Sequence, residues 1–274
     1  MDAFPSAFSE KIDWLYHYQS GNLAHLAETL TNSTLHFSNP RYFNDPWDSK
    51  PFFYIPSNED PEKEIITNQL IAGAKPPLNS AEETLYRKEM QNAAFFEKSL
   101  LDMTNGLREH FFSTYRLYCL SEKSDCELMW AHYADKHKGL LLQFSTKKTI
   151  FGGAYKIEYQ KEYPKILPQK NLITAKSALL TKSVAWQYEQ EYRVLAFDEG
   201  AQSVLEGKAP KEVIVRKNKL IFDLSNLVSI TFGCLFPPDE ISTYKKVIQS
   251  LAPHIQLRQA YKIENNYQLG IDVL

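Results

Sequence analysis

The segment 182–195 constrains this chain most, because it places two acidic side chains at the start of a predicted β-strand. The residues that follow the second acid are mostly aromatic, β-branched or apolar, a composition that favours a strand. Side chains at positions i and i+2 of a strand point to the same face, so Glu189 and Glu191 are predicted to share one face. Two buried carboxylates that close cannot both stay ionised without cations beside them, and without such cations the pKa of one of them rises. The pair therefore indicates either a functional site or a solvated strand end at which Lys182 and Arg193 neutralise the acids.

The composition is that of a soluble globular protein without a general affinity for polyanions. The chain has 274 residues, of which 43% are hydrophobic and 23% are charged, and its net charge is −2. A net charge this small predicts no overall attraction to nucleic acid or to an anionic membrane. The three cysteines form no C-x-x-C pair, so neither a disulfide framework nor a zinc knuckle is indicated. The amino end lacks a signal-peptide pattern and no apolar run reaches the length of a membrane span, so the expected location is the cytoplasm, with no membrane partner.

Hydrophobic periodicity predicts one α+β domain over residues 1–274, with a helical insertion at 58–112. Helices are predicted from the Gly21-Asn22 break to about residue 30, within 60–110 on either side of a break at 75–77, over 124–139, over 171–186 and after Pro237-Pro238. The predicted strands are 14–18, 35–38, 115–121, 140–144, 154–159, 192–197, 212–216, 227–232 and 255–260.

Two capping boxes are predicted to begin helices. Ser80 with Glu83 would open the second helix of the insertion, and Ser124 with Glu127 would open the helix that ends at Gly139.

Polar residues occur at two other positions that could contribute to a site. His17 lies inside an aromatic strand with Ser20 just beyond its end, although a histidine among aromatic residues is more often a hydrogen-bonded core residue. Asn44 and Asp45 precede a proline, and their side chains are expected to cap a turn through local hydrogen bonds.

The segment 129–139 of the predicted helix 124–139 contains aromatic and histidine side chains. Trp130 and Tyr133 are three residues apart and share a face, either as part of the core, which the spacing favours, or as the wall of an aromatic pocket. His132 and His137 are five residues apart and lie off a common face, so the spacing gives weak support to a helical zinc pair. No glycine-rich nucleotide-binding motif and no G-x-S-x-G motif occurs.

Five segments in order resemble a bacterial family known as domain of unknown function twenty-nine seventy-one. They are spread over nearly the whole chain: L-Y-H-Y-Q-S at 15–20, F-N-D-P-W-D at 43–48, M-W-A-H-Y-A-D-K-H-K-G at 129–139, T-K-S-V-A-W-Q-Y-E-Q-E-Y-R at 181–193 and I-T-F-G-C at 230–234. The family name does not define a function.

A first strand with L-Y-H-Y-x-S and a late E-x-E also resemble the ADP-ribosyltransferase superfamily, in its histidine–tyrosine–glutamate branch. This resemblance implies a mixed, mostly antiparallel split β-sheet and NAD as the substrate. It implies that His17 binds the NAD ribose with Ser20 as a nearby hydroxyl, that Tyr133 stacks on nicotinamide, and that Glu191 is the catalytic glutamate. Glu189 would select or activate the acceptor. The other residues expected to contribute to NAD binding are Tyr18, Asn44, Asp45, Trp130, Lys182 and Arg193.

The expected function is therefore that of an NAD-dependent ADP-ribosyltransferase, without a metal ion, of the kind that acts as a toxin or anti-phage defence effector. Its acceptor would be a nucleic acid or a protein, and an antitoxin or defence-system partner is expected. Two alternatives remain open. One is a magnesium-dependent nuclease that uses Asp45, Asp48, Glu189 and Glu191, although Arg193 occupies the position where many such nucleases carry a lysine. The other is a non-catalytic sensor domain that binds a small molecule or nucleotide.

Overall fold

The computed structural model describes residues 4–57, 60–168, 172–201 and 213–274. Its helices are α1 (Leu23–Asn32), α2 (Glu62–Ala72), α3 (Ser80–Glu89), α4 (Ala93–Thr114), α5 (Glu127–Tyr133), α6 (Leu172–Leu179) and α7 (Pro238–Leu251). Its strands are β1 (Trp14–Gln19), β2 (Thr34–His36), β3 (Tyr115–Ser121), β4 (Leu140–Ser145), β5 (Tyr155–Lys156), β6 (Glu158–Gln160), β7 (Thr181–Ser183), β8 (Glu191–Asp198), β9 (Ile214–Val215), β10 (Lys219–Ile221), β11 (Leu227–Phe232), β12 (Gln256–Lys262) and β13 (Leu269–Val273).

The main sheet has the strand order β13-β12-β11-β4-β1-β3-β8-β5, and β9 pairs with β8. Its pairings are antiparallel except for β11 with β12 and β8 with β9. The short pairs β2–β10 and β6–β7 lie outside this sheet. The predicted α+β class and the mixed, mostly antiparallel sheet are therefore confirmed.

Alternation along β8 sends its side chains to two different cores. Val194 and Ala196 pack in the large core that also contains Leu26 of α1 and Ile248 of α7. Leu195 and Phe197 pack in a second core, which includes residues of α4 and α6. Successive strand residues point to opposite faces, so Glu191 and Arg193 lie on the same side as this second core.

Several predicted elements agree with the structure. The strands 115–121 and 227–232 have the predicted bounds, and α7 begins at Pro238. The helical block between β2 and β3 forms three helices, α2, α3 and α4, with the predicted break before Ser80. That this block is an insertion within a single domain stays a prediction. Residues 58 and 59, Asn171, and Glu212 at the start of one predicted strand, lie outside the described residues.

Other predictions were wrong at the ends of elements. The helix expected over 171–186 ends at Leu179, because the chain then forms β7, which pairs with β6, and a 3-10 helix. The strand expected over 154–159 is divided into β5 and β6, and β10 and β13 were not predicted. The helix expected over 124–139 ends at Tyr133, and three residues with positive φ follow it at 135–137.

Neither predicted capping box forms. The N-cap of α3 is Asn79, whose reciprocal bonds are made with Glu82 one position earlier than predicted. The N-cap of α5 is Cys126, which makes no side-chain cap bond. Among the described residues, no helix is long and apolar enough to cross a membrane.

Candidate functional site

The two glutamates meet, but not by the predicted strand alternation. Glu189 is the last residue of the 3-10 helix Val184–Glu189, and Glu191 is the first residue of β8. The Ser183 side chain accepts a hydrogen bond from the Ala185 N–H and so begins this 3-10 helix. Gln190 between the glutamates has φ 42° and ψ 55°, a left-handed conformation. The prediction that Glu189 lies in the strand is therefore wrong, because the chain turns at Gln190 before pairing begins.

Lys182 joins the carboxylates into one buried cluster. Its Nζ lies 2.5 Å from Oε2 of Glu189, 3.1 Å from Oε2 of Glu191 and 3.4 Å from Oδ2 of Asp48. All four side chains are almost completely buried. Charged groups in such an environment are stable only when they are paired, so Lys182 is the central cation of this site.

Arg193 holds the opposite side of the same cluster. Its Nε donates to Oε1 of Glu191 at 2.6 Å, and its Nη2 donates to Oε2 of Glu191 at 2.9 Å and to Oδ2 of Asp48 at 2.7 Å. Its Nη1 donates to the Ser49 hydroxyl and to the Leu179 carbonyl. The guanidinium is completely buried and already bonded at every nitrogen, so the structure does not make Arg193 available to bind a cofactor.

The cluster contains three carboxylates and two cations, and because of this imbalance the two glutamates have different pKa values. Burial, with the negative charge of Glu191 as the next cause, raises the pKa of Glu189 to about 7. Burial also acts to raise the pKa of Glu191, but the charges of Arg193 and Lys182 outweigh it and hold that pKa well below its usual range. Near neutral pH, Glu191 is therefore ionised, while Glu189 is present in both its protonated and its ionised form.

Both glutamates line a cavity of about 450 Å³, here called the carboxylate pocket. Strand β1, the loop 43–48, strand β3, helix α5 and the segment 182–191 contribute to it. The lining residues are Tyr16, His17, Tyr18, Ser38, Tyr42, Phe43, Asn44, Asp48, Cys119, Leu120, Met129, His132, Tyr133, Lys182, Glu189 and Glu191. Its volume lies within the range typical of small-molecule sites.

His17 enters this pocket as a neutral imidazole with a fixed tautomer. Its Nδ1 lies 2.9 Å from the Cys119 carbonyl oxygen, which can only accept a hydrogen bond, so Nδ1 carries the proton. Burial lowers the pKa of His17 to about 4, and the ring stacks on Tyr118 at 4.4 Å between centroids. Nε2 is therefore unprotonated at neutral pH and can accept a hydrogen bond from a ligand hydroxyl.

Tyr133 approaches the carboxylate cluster from the last residue of α5. Its hydroxyl donates to Oε1 of Glu189 at 2.7 Å. Burial, and then the charge of Glu189, raises the pKa of Tyr133, so the phenol remains a donor. The structure thus brings Tyr133 to the same pocket as His17 and the two glutamates. Its stacking on nicotinamide stays a prediction.

The structure does not bring Trp130 and Ser20 into the pocket. Trp130 is completely buried, donates from Nε1 to the Ser124 carbonyl at 3.0 Å, and packs edge-on against Tyr18. It is a core residue, as its spacing favoured. Ser20 is exposed after the end of β1 and lines neither pocket described here. Tyr18 does line the carboxylate pocket, but its hydroxyl is bonded to the Lys123 carbonyl.

The loop 43–48 contributes both predicted and unpredicted residues. Asp45 accepts a hydrogen bond from the Trp47 N–H at 2.8 Å, which confirms its predicted role in capping the turn. Asn44 lines both the carboxylate pocket and a neighbouring cavity, whereas Asp45 lines only the neighbouring cavity. Asp48 was expected only in the nuclease hypothesis, yet it contacts Lys182 and Arg193.

Three further residues that sequence reasoning missed hold the glutamates in place. The Ser121 hydroxyl donates to the Glu189 carbonyl at 2.5 Å, and the Tyr159 hydroxyl accepts from the Glu191 N–H at 2.8 Å. The Cys119 thiol hydrogen-bonds to the Glu191 carboxylate. No sequence signal marked these residues, because they come from distant strands.

The described part of the chain contains no group of three His, Cys, Asp or Glu side chains arranged to hold a metal ion. The carboxylates of Asp48, Glu189 and Glu191 are bonded to Lys182 or Arg193. A magnesium ion at this position would have to displace these cations, so the cluster is poorly suited to the nuclease hypothesis.

One comparison with known proteins finds a similarity over part of this site. No curated protein and no solved structure matches the chain. Residues 129–194 match the model of a family described as a protein of unknown function, DUF2971. The matched stretch contains Tyr133, Lys182 and both glutamates, whereas His17 and Asp48 lie before it. Over residues 129–194 the chain is thus similar to the DUF2971 family, which confirms the predicted family resemblance for this part of the molecule.

Proposed function

We propose that the carboxylate pocket binds NAD and that the protein is an ADP-ribosyltransferase-like enzyme, which cleaves the bond between nicotinamide and ribose. One observation carries the proposal. His17, Tyr133 and the pair Glu189 and Glu191 come from three separate segments and line one pocket, and both glutamates belong to a cluster with one more carboxylate than cations.

The charge of this cluster suits the reaction. As the bond between C1′ and the nicotinamide nitrogen breaks, its electron pair leaves with nicotinamide and positive charge moves onto the ribose. A fixed negative charge near C1′ then stabilises the transition state more than the ground state. Carboxylates serve this purpose in glycosidic bond cleavage generally. Glu191 is ionised at neutral pH and supplies that charge.

Glu189 is suited to receive a proton from the acceptor. A general base works best when its pKa is near the working pH, and the pKa of Glu189 is raised to about 7. In the transfer step, a lone pair of the acceptor forms the new bond to C1′ and the acceptor proton passes to Glu189. Lys182 and Tyr133 hold the carboxylate in position for this role.

His17 supplies an acceptor for a ribose hydroxyl. Its Nδ1 proton is bonded to the Cys119 carbonyl, so Nε2 is free of a proton at neutral pH. A hydroxyl of the nicotinamide ribose is the kind of donor that this nitrogen binds.

The direct test is to incubate the purified protein with NAD and to follow nicotinamide and ADP-ribose by chromatography, with EDTA and with magnesium. We expect nicotinamide release in both conditions, and its loss in Glu191→Gln. Glu158→Gln is the matched control, because Glu158 is an exposed acid on β6.

The same experiment separates the alternatives. NAD that binds but stays intact would indicate a sensor domain, and magnesium-dependent loss of added DNA or RNA would favour a nuclease. Either result without nicotinamide release would contradict NAD cleavage as the function. A role as a toxin or defence effector, with an antitoxin partner, is a further expectation to be tested in cells.

A further inference from the structure

A second cavity lies beside the carboxylate pocket and shares lining residues with it. This cavity, here called the tryptophan pocket, has a volume of about 590 Å³ and is lined by Trp47, Tyr163 and Trp186. Asn44, Asp48 and Lys182 line both cavities. The two pockets therefore meet at the charged cluster, but Trp47, Tyr163 and Trp186 line the tryptophan pocket alone.

Trp47 is displayed on a fixed backbone. The residue is 65% exposed, although tryptophan is highly buried on average. Its N–H donates to Oδ1 of Asp45 at 2.8 Å, and its carbonyl accepts from the Tyr163 hydroxyl at 2.8 Å. The Trp47 carbonyl also accepts a hydrogen bond from the Lys50 N–H at 3.2 Å. An exposed indole on a loop held at three points is preorganised for a ligand, because little ordering remains to be done on binding.

Trp186 forms another aromatic wall and is also held in place. Lys182 Nζ lies 5.1 Å from its ring centroid, and the rings of His132 and Tyr188 lie 6.3 and 6.1 Å away. Aromatic faces stack on planar ligand rings, and each such contact contributes substantially to binding of nucleobases.

The charges around the pocket favour a neutral ligand. Its lining carries as many acidic as basic side chains, namely Asp45, Asp48 and Glu162 against Lys50, Lys161 and Lys182. The Lys50 ammonium is in addition bonded to the carbonyls of Pro40 and Arg41. Phosphate groups are recognised by unpaired cations, so this lining suits a ring and its sugar better than a phosphate.

We infer that the tryptophan pocket is a binding site for a planar nucleobase, presented as a purine nucleoside. The Gln160 amide, which can donate and accept, and the Asp45 carboxylate, which can accept, line the same pocket and are the kinds of group that hydrogen-bond to a purine edge. The ring could belong to NAD itself or to a separate acceptor, and its chemistry is the same in both cases. The ring site does not depend on NAD cleavage, so the two can fail separately.

The test is calorimetric titration with adenosine alone. We expect the wild type to bind adenosine, and Trp47→Ala to bind it about 5- to 150-fold more weakly, as expected for loss of one stacking wall. Trp47→Phe should recover most of the affinity because it restores a ring. Trp14→Ala is the control, since Trp14 is 39% exposed on β1 and lines neither pocket.

Nicotinamide release from NAD then identifies the source of the ring. If the ring is the adenine of NAD, adenosine competes with NAD and Trp47→Ala raises KM for NAD. If it belongs to a separate acceptor, KM for NAD is unchanged and adenosine does not compete. Absence of adenosine binding to the wild type, or equal affinity in Trp47→Ala, would overturn the ring site whether or not NAD is cleaved.

Discussion

Replacing Glu189 by glutamine should remove a pH dependence of stability that the wild type carries. The pKa of Glu189 is about 7 in the folded protein, against a usual value of 4.5. The folded state therefore holds this proton more tightly than the unfolded state does. Where the folded state binds more protons, the free energy of unfolding falls as pH rises. The loss begins above pH 4.5 and is complete once the pH has passed about 7.

The size of the effect follows from the shift. One pKa unit corresponds to about 1.36 kcal/mol, so ionisation of Glu189 costs the folded state about 3 kcal/mol between pH 4.5 and pH 8. This is a large part of the 5–15 kcal/mol typical of a whole domain. Glutamine has nearly the same volume and does not titrate, so the stability of the variant has no contribution from ionisation at position 189.

The assay is urea unfolding of the wild type and Glu189→Gln at pH values from 4.5 to 8. We expect the free energy of unfolding of the wild type, minus that of the variant, to fall by about 3 kcal/mol across this range. Glu158→Gln should show no such trend relative to the wild type, because Glu158 is exposed. A difference between wild type and Glu189→Gln that stays constant with pH would refute the imbalance of charges in the cluster.

Three further substitutions test the other groups of the site. Glu191→Gln should lower the rate of nicotinamide release roughly a hundredfold or more while leaving NAD affinity in calorimetry almost unchanged; an active variant would remove Glu191 from catalysis. His17→Ala should weaken NAD binding by ~1–3 kcal/mol through loss of one hydrogen bond, with its thermal midpoint measured alongside; equal affinity, or simple unfolding, would identify His17 as a core residue. Lys182→Met should destabilise the fold by about 3–5 kcal/mol in urea unfolding, because it leaves buried carboxylates without their shared cation, and a loss below 1 kcal/mol would show that the cluster tolerates this imbalance.

Local patterns predicted the elements that depend on local chemistry. The strand at 115–121 and the helix after Pro237 are marked by β-branched or aromatic composition and by proline, and both form where expected. The end of α6 was not predictable in the same way. Its sequence continues a helical pattern, but pairing of β7 with β6 supplies competing hydrogen bonds from a segment about 20 residues away.

The sequence indicated several residues of the candidate site better than it indicated how they are arranged. Glu189 and Glu191 do converge, but through a left-handed Gln190 and not through strand alternation. Asp48 reaches Arg193 across a separation of 145 residues, and no local pattern carries such a contact. Arg193 has the charge expected of a ligand-binding residue, and only its burial behind Glu191 shows that it serves the fold.

A crystal structure of Glu191→Gln soaked with NAD tests the central claim most directly, because this variant is expected to bind NAD without cleaving it. The account predicts the nicotinamide ribose in the carboxylate pocket, with a ribose hydroxyl hydrogen-bonded to Nε2 of His17 and C1′ beside residues 189 and 191. NAD bound elsewhere, or a carboxylate pocket that remains without NAD at saturating concentration, would contradict it.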